Sequence, residues 1–308
     1  MTEPGGEPEI HAAAAPNDLS VDALLLRPDE RGEVSIDPAS AGWRYLSYRT
    51  RWLTPDDDVA VGGPALEAAV VLLAGADAAL ESRSGSSVLA GRRAPLDDLP
   101  SAWYVPAGAR GRLRAVARGD SRRTLVAIAE APLSGRGGVA ESVVVIRPPD
   151  VRIEIRGAGN ATRQVNHIIA PDFPADRLEV VEVVTPSGNW SSWPPHKHDV
   201  DAMPGEAVLE EIYWYAFRRP AAWAVQRLYR PDRSRDGLWE VRDGEVVLVT
   251  DGYHPFAAAH GDDAYYLNAL AGDRRTMACS FDPDWDWVRA TWASMAPDPR
   301  VPLVPPRG

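Results

Sequence analysis

Cysteine and lysine are nearly missing from this chain of 308 residues, and histidine is sparse. A single cysteine, Cys279, excludes an internal disulfide and suits a reducing compartment, so a cytoplasmic location is expected. Lys197 is the only lysine, so with 33 basic residues in all the other 32 are arginine. No apolar run approaches the roughly 18 residues of a membrane span, and the run ending Leu72-Leu73-Ala74 is closed by Gly75. The acidic opening Thr2-Glu3-Pro4-Gly5-Gly6-Glu7 has no apolar core, so no secretory leader is expected. Positive charge is outweighed to a net −11, which argues against nucleic acid or an anionic membrane as partner. No histidine lies between His11 and His167, so the first half cannot assemble a histidine metal site.

Short strands separated by turn residues are plentiful. Residues 68–73 form a continuous apolar run, the pattern of a strand buried on both faces. Arg112 to Ala117 alternates, as does Val151-Arg152-Ile153-Glu154-Ile155-Arg156, and Asp243-Gly244 is the strongest hairpin signal. A short helix is expected from Asp282, with Pro283 at its first position. This pattern predicts an all-β sandwich or barrel. The divisions expected are a tail over 1–20, an N-terminal unit over 21–150, a C-terminal unit over 151–296 and a Pro-rich tail over 297–308. The Gly157-Ala158-Gly159 run lacks the Gly-Lys-Ser/Thr ending of a phosphate loop and reads as a crossover between units. Exposed strand edges and the Pro-rich tail suggest a homo-oligomer.

The chemistry gathers in the second unit. His196 and His198 stand two apart, so on a strand both imidazoles face one side. Glu211 opens the strand Glu211-Ile212-Tyr213-Trp214-Tyr215, and His254 follows the turn at Gly252. Three imidazoles and a carboxylate suit a borderline divalent ion, with positions left for substrate. His167, in an apolar segment, reads as a satisfied core histidine, and His260 as an exposed loop residue.

The pattern His-x-His, Glu, then a distant His resembles the cupin metal signature, although twelve residues (199–210) separate His198 from Glu211. A closer resemblance is carried by the run from Thr185 through Ser191-Ser192-Trp193-Pro194-Pro195-His196-Lys197-His198-Asp199. Leu209-Glu210-Glu211-Ile212-Tyr213-Trp214-Tyr215, Gly252-Tyr253-His254-Pro255 and Tyr265-Tyr266-Leu267-Asn268 carry it further. These resemble the 5-deoxy-glucuronate isomerase family of myo-inositol breakdown, in which a long loop before the Glu is usual. The resemblance is strongest from about 150 to 300. It implies a bicupin, two β-barrels with the metal in the second, acting on a small sugar acid by aldose–ketose isomerisation.

Within that reading His196, His198, Glu211 and His254 are the expected metal ligands. Tyr213 shares the parity of Glu211 and is a candidate for polarising substrate or moving a proton, its alternative being a core aromatic. Gln226, polar in an apolar strand, and Tyr266 are candidates for meeting sugar hydroxyls, and Lys197 is a candidate at the edge of the site. The substrate carboxylate needs a cation, Arg163 or Arg227; Gln226 and Arg227 cannot both face inward on one strand. Other readings are an iron-dependent cupin dioxygenase, a 4-deoxy-uronate isomerase of pectin breakdown, and a sugar-binding cupin without turnover.

Overall fold

The computed structural model describes residues 19–135 and 140–306, so His11 and most of the N-terminal tail lie outside the described residues. The chain folds as two antiparallel β units side by side, each a large sheet closed by a smaller one. The N-terminal large sheet has the order Val144–Ile146, Ala102–Val105, Leu66–Gly75, Thr124–Pro132, Ser47–Leu53, Ser35–Ile36. The C-terminal one has the order Leu25–Leu26, Val246–Val249, Leu209–Phe217, Ala264–Gly272, Leu178–Thr185, Arg163–Ile169, Arg152–Arg156. No described helix is long and apolar enough to cross a membrane.

Strand parity explains the core. In Leu66–Gly75, Ala68, Val70 and Leu72 fill the N-terminal barrel with Trp103, Val105, Val126 and Ile128. Ala69, Val71 and Leu73 point the other way, into a second core shared with Val180, Val184, Trp214 and Tyr265 of the C-terminal sheet. The unbroken apolar run at 68–73 is the signature of this double burial. Between the units lies a buried ion pair: Arg92 reaches Glu182 at 2.6 and 3.0 Å, and the Tyr265 hydroxyl donates to the same carboxylate at 2.6 Å. Removing either partner of such a pair strands a buried charge.

Three features depart from the sequence reading. Leu25–Leu26, from the N-terminal segment, completes the C-terminal sheet by pairing with Val246 and Val247. Asp243-Gly244 closes no hairpin. Gly244, at φ 80°, turns the chain from Asp236–Val241 in the smaller sheet to Val246–Val249 in the larger one. The helix expected from Asp282 starts later, at Val288–Thr291. Asp282 is held instead by the Tyr229 hydroxyl at 2.5 Å and heads a series of turns. The Pro-rich segment packs on its own unit, with Val304 buried and hydrogen-bonded to Gln164, so it gives no support to self-association.

Candidate metal centre

The smaller C-terminal sheets and the concave face of the large one enclose the site. His196–Lys197 is a two-residue strand paired with Ser280–Phe281. His198 ends that run and is tied to the next strand twice: the Leu209 N–H donates to its carbonyl at 3.0 Å, and its own Nδ1–H donates to the Leu209 carbonyl at 3.0 Å. That second bond leaves Nε2 to face Glu211. His254 is set the same way, Nδ1 donating to the Gly252 carbonyl at 3.1 Å. Gly252 has φ 81°, and a Cβ there would stand 2.5 Å from the Tyr229 carbonyl oxygen, so the turn that aims His254 requires glycine.

The two Nε2 atoms converge on one carboxylate oxygen. Glu211 Oε2 lies 2.9 Å from His198 Nε2 and 3.4 Å from His254 Nε2, and all three side chains are buried. His254 Nε2 has no hydrogen-bond partner. An orphaned buried nitrogen is costly unless something occupies its lone pair. Atoms each about 2.1 Å from a shared ion stand roughly 3.0–3.4 Å apart, which is the spacing found. Burial, and after it the neighbouring imidazoles, holds the His196 and His254 pKa down to about 3, keeping both rings neutral as ligation demands. At His198 burial also lowers the pKa, but the hydrogen bond and charge of Glu211 outweigh it and leave it raised. The donor set fits a divalent ion. His196 stands beside the three: its ring lies 4.6 Å from that of His254 and 6.4 Å from that of His198, outside the group whose donor atoms converge within 4.8 Å.

The residues 199–208 between His198 and Glu211 are closed on themselves. Lys197 Nζ, directed away from the imidazoles, sits between Asp199 (2.6 Å) and Glu206 (2.8 Å). Glu206 also accepts the N–H groups of Asp199 and Val200, and Asp199 accepts the Gly252 N–H at 2.7 Å. Lys197 therefore knits the long loop to the His254 turn, with its charge already matched by two carboxylates.

Tyr213 follows Glu211 on the inward face. Its hydroxyl meets Ser192 Oγ at 2.7 Å, and its ring lies 5.8 Å from that of His254. Tyr266 meets Ser191 at 2.6 Å and Ser192 at 3.4 Å, so four buried hydroxyls run in series beside the imidazoles. Burial raises both tyrosine pKa values, so both phenols are neutral donors. Gln226 is wholly buried with its amide engaged: Oε1 accepts the Tyr215 hydroxyl at 3.0 Å and Nε2 donates to the His254 and Pro255 carbonyls. It braces the His254 turn and has no atom left for a sugar hydroxyl. Arg227 faces out and pairs with Asp236 at 2.8 and 2.6 Å, which removes it as the carboxylate partner. Arg163 is buried, donates to the Ala161 and Trp193 carbonyls, and pairs with no carboxylate among the described residues.

His167 is a core histidine bonded to Glu154 at 2.8 Å, and His260 is an exposed loop residue. The sequence reading overlooked two groups. The first is the pair Ser191 and Ser192, whose signal was two hydroxyls in a run that turns into the histidines. The second is Glu179, 1% exposed with no hydrogen-bond partner on either oxygen. It lies on the same face as Glu211, since both register with Leu270 from opposite sides. Burial, partly offset by Arg275, pushes its pKa up to about 7.

Two barrels, the second with a His-Glu-His cluster that could hold a metal ion, define a cupin-type protein. The chain belongs to the KduI/IolB family, whose model matches residues 24–288. It is 40% identical over 264 residues to a 5-deoxy-glucuronate isomerase of Geobacillus kaustophilus, spanning 85% of this chain and 92% of that one. It is 32% identical to the enzyme of the same name from Lacticaseibacillus casei, over 82% and 91% of the two chains; these relatives are isomerases by name. An IolB-like protein of Salmonella typhimurium superposes with a TM-score of 0.79 at 33% identity, covering 86% of this chain and 99% of its own. Oxalate decarboxylase of Lactobacillus farciminis, at TM-score 0.55 and 11% identity over 88% and 90%, shares the fold alone.

Proposed function

We propose that this protein isomerises 5-deoxy-glucuronate to 5-dehydro-2-deoxy-gluconate, an aldose–ketose conversion in myo-inositol breakdown. The observation that carries the reading is the bare, buried His254 Nε2 aimed with His198 Nε2 at one Glu211 oxygen, in a member of this family. His198, Glu211 and His254 would hold a zinc or manganese ion, with His196 beside them as a further donor. Such an ion supplies Lewis acidity to the carbonyl and adjacent hydroxyl oxygens of a bound sugar.

In the reaction one proton leaves the carbon beside the aldehyde and one is delivered to the former aldehyde carbon, with no external oxidant. Tyr213, neutral and backed by Ser192, donates a hydrogen bond to the oxygen on which negative charge grows. The Ser191, Ser192, Tyr213 and Tyr266 hydroxyls offer a path for protons that excludes bulk water. Gln226 and Lys197 act behind the site, one bracing His254 and the other closing the loop before Glu211. Arg163 meets the substrate carboxylate, its buried charge lacking a protein counter-ion.

The test is proton NMR of 5-deoxy-glucuronate with metal-loaded protein in deuterated water, beside His254→Ala. Ketose product carrying deuterium at the carbon that gains the proton is the expected result. Absence of turnover with zinc and with manganese, the wild type matching the variant, overturns the proposal.

A further inference from the structure

The strands Arg152–Arg156 and Arg163–Ile169 set two arginines directly opposite each other, Arg156 across from Arg163. Side by side, like charges on adjacent strands are unfavourable unless something neutralises them. Glu154 takes Arg156 in a fork, Oε1 to Nε at 2.8 Å and Oε2 to Nη2 at 2.9 Å. The same Oε2 accepts the His167 Nε2–H at 2.8 Å, so the carboxylate is itself fixed from the barrel wall. Burial lowers the His167 pKa and favours its neutral form. Two guanidinium groups and one carboxylate leave one positive charge over, and it resides at Arg163, which meets the Ala161 and Trp193 carbonyls and the Trp292 ring but no carboxylate among the described residues.

The pair is directed at the site. Val165 registers with Val183 and Val183 with Tyr266, so Arg163 and Arg156 lie on the face of the sheet that carries Tyr266, and Arg163 donates to the Trp193 carbonyl in the run that leads to His196. The hairpin joining the two strands crowds Arg163: a Cβ on Gly157, at φ 82°, would stand 2.9 Å from Arg163 Nη1 and 2.1 Å from the Ala161 carbonyl oxygen. Gly157 thus serves to seat an arginine. The fork of Glu154 occupies one edge of the Arg156 guanidinium, and Nη1 on the opposite edge has no hydrogen-bond partner among the described residues.

We propose that Arg156 is the second half of a carboxylate clamp: held by Glu154 and His167, it stands with Arg163 to grip the acid end of the sugar and selects uronates over neutral aldoses. This rests on the isomerase reading for the substrate's identity, and it names a binding residue, Arg156, and a positioning residue, Glu154. Planar, forked donors suit a carboxylate in a way that a lysine does not.

The experiment titrates the metal-loaded protein with D-glucuronate and with D-glucose, read by calorimetry, for wild type, R156Q, R156K and E154Q. It also measures kcat and KM for 5-deoxy-glucuronate. The wild type is expected to prefer glucuronate. R156Q should weaken glucuronate binding and raise KM roughly 10- to 100-fold, as loss of charged hydrogen bonds does, with kcat little changed and glucose binding unmoved. R156K, keeping charge without the fork, and E154Q, keeping the arginine without its holder, should fall between; if R156Q does not fold, these two carry the test. A wild type indifferent between the two sugars overturns the clamp, as does unchanged glucuronate binding in the Arg156 variants or equal weakening of both sugars. Selective, Arg156-dependent binding of glucuronate without isomerisation would leave the clamp standing and remove the isomerase reading. Isomerisation with KM insensitive to Arg156 would do the reverse.

Discussion

In the N-terminal unit Glu67 accepts the N–H groups of Asp176, Arg177 and Leu178 at 2.7–2.8 Å, together with the Tyr104 hydroxyl at 2.6 Å. In the C-terminal unit Glu210 accepts those of Arg44, Tyr45 and Leu46 at 2.6–2.9 Å. Each carboxylate is the second residue of its strand, Leu66–Gly75 or Leu209–Phe217, and each ties down the chain entering a strand of the opposite unit. The lock is reciprocal, and it aligns the two barrels residue for residue. The next position along faces the barrel interior: it is Ala68 in one and Glu211 in the other. One unit closes its interior with Val70, Leu72, Trp103 and Ile128, while the other keeps Glu179, Tyr213, Tyr266 and three imidazoles. One scaffold thus serves as a packed support or as a reaction vessel, depending on side chains that alternate strand parity points inward.

Glu211→Ala makes the second barrel resemble the first at this position, and it is the largest effect expected. Turnover should fall by roughly three orders of magnitude, the several kcal/mol that a catalytic ion supplies, with bound metal lost in parallel by elemental analysis. Retained metal with full turnover would break the comparison.

The reciprocal lock is tested next. Glu67→Gln leaves buried N–H groups short of a charged acceptor, and urea unfolding should show a loss of about 3 kcal/mol. Glu210→Gln should cost less, because Glu210 is only half-buried while Glu67 is fully so. The opposite ranking would show that the units do not share their burden in this way.

Unpaired charge sharpens the contrast further. Glu67 has four donors, and Glu179 has none. With its pKa near 7, folded Glu179 keeps a proton that the unfolded chain releases above 4.5. The folded state therefore binds more protons in that window, and stability should fall as pH rises from about 4.5 to 7, then level off. The effect is on the order of 3 kcal/mol, measured on metal-free protein. Glu179→Gln should remove most of that slope, and an unchanged slope would reject the assignment.

The smallest effect separates the two arginines first considered for the substrate carboxylate. Arg227→Ala breaks an exposed pair with Asp236 and a contact with the Tyr229 ring, so stability should move by about 1 kcal/mol. KM for the sugar acid should stay as it was. A raised KM would return Arg227 to the site.

Much of this was legible before folding. Alternation over residues 151–156 and the double-sided run at 68–73 announced their strands, because a pleated backbone imposes period two on any half-buried segment. His198, Glu211 and His254 were legible as a group of imidazole and carboxylate donors, and the fold brings their donor atoms within 4.8 Å of one another. Lys197 was harder. Its neighbours in sequence are histidines, but its partners are Asp199 and Glu206, brought round by a loop. Strand parity allows only one of Gln226 and Arg227 to face inward without saying which; the fold turns Gln226 in, and its amide is consumed by the Tyr215 hydroxyl and the carbonyls of the His254 turn.

By itself, then, the sequence determined the β class, the unit that carries the chemistry and the ligand types, all of which follow from local period and side-chain character. Tertiary structure alone decided that Leu25–Leu26 joins the distant sheet and that Asp243-Gly244 is a corner between sheets. It also decided that Arg163 is left without a counter-ion while Arg227 is paired, and that Glu179 stands bare on the face of Glu211. These are properties of strand pairing and burial across long separations, where a residue's partner is set by which strand arrives beside it.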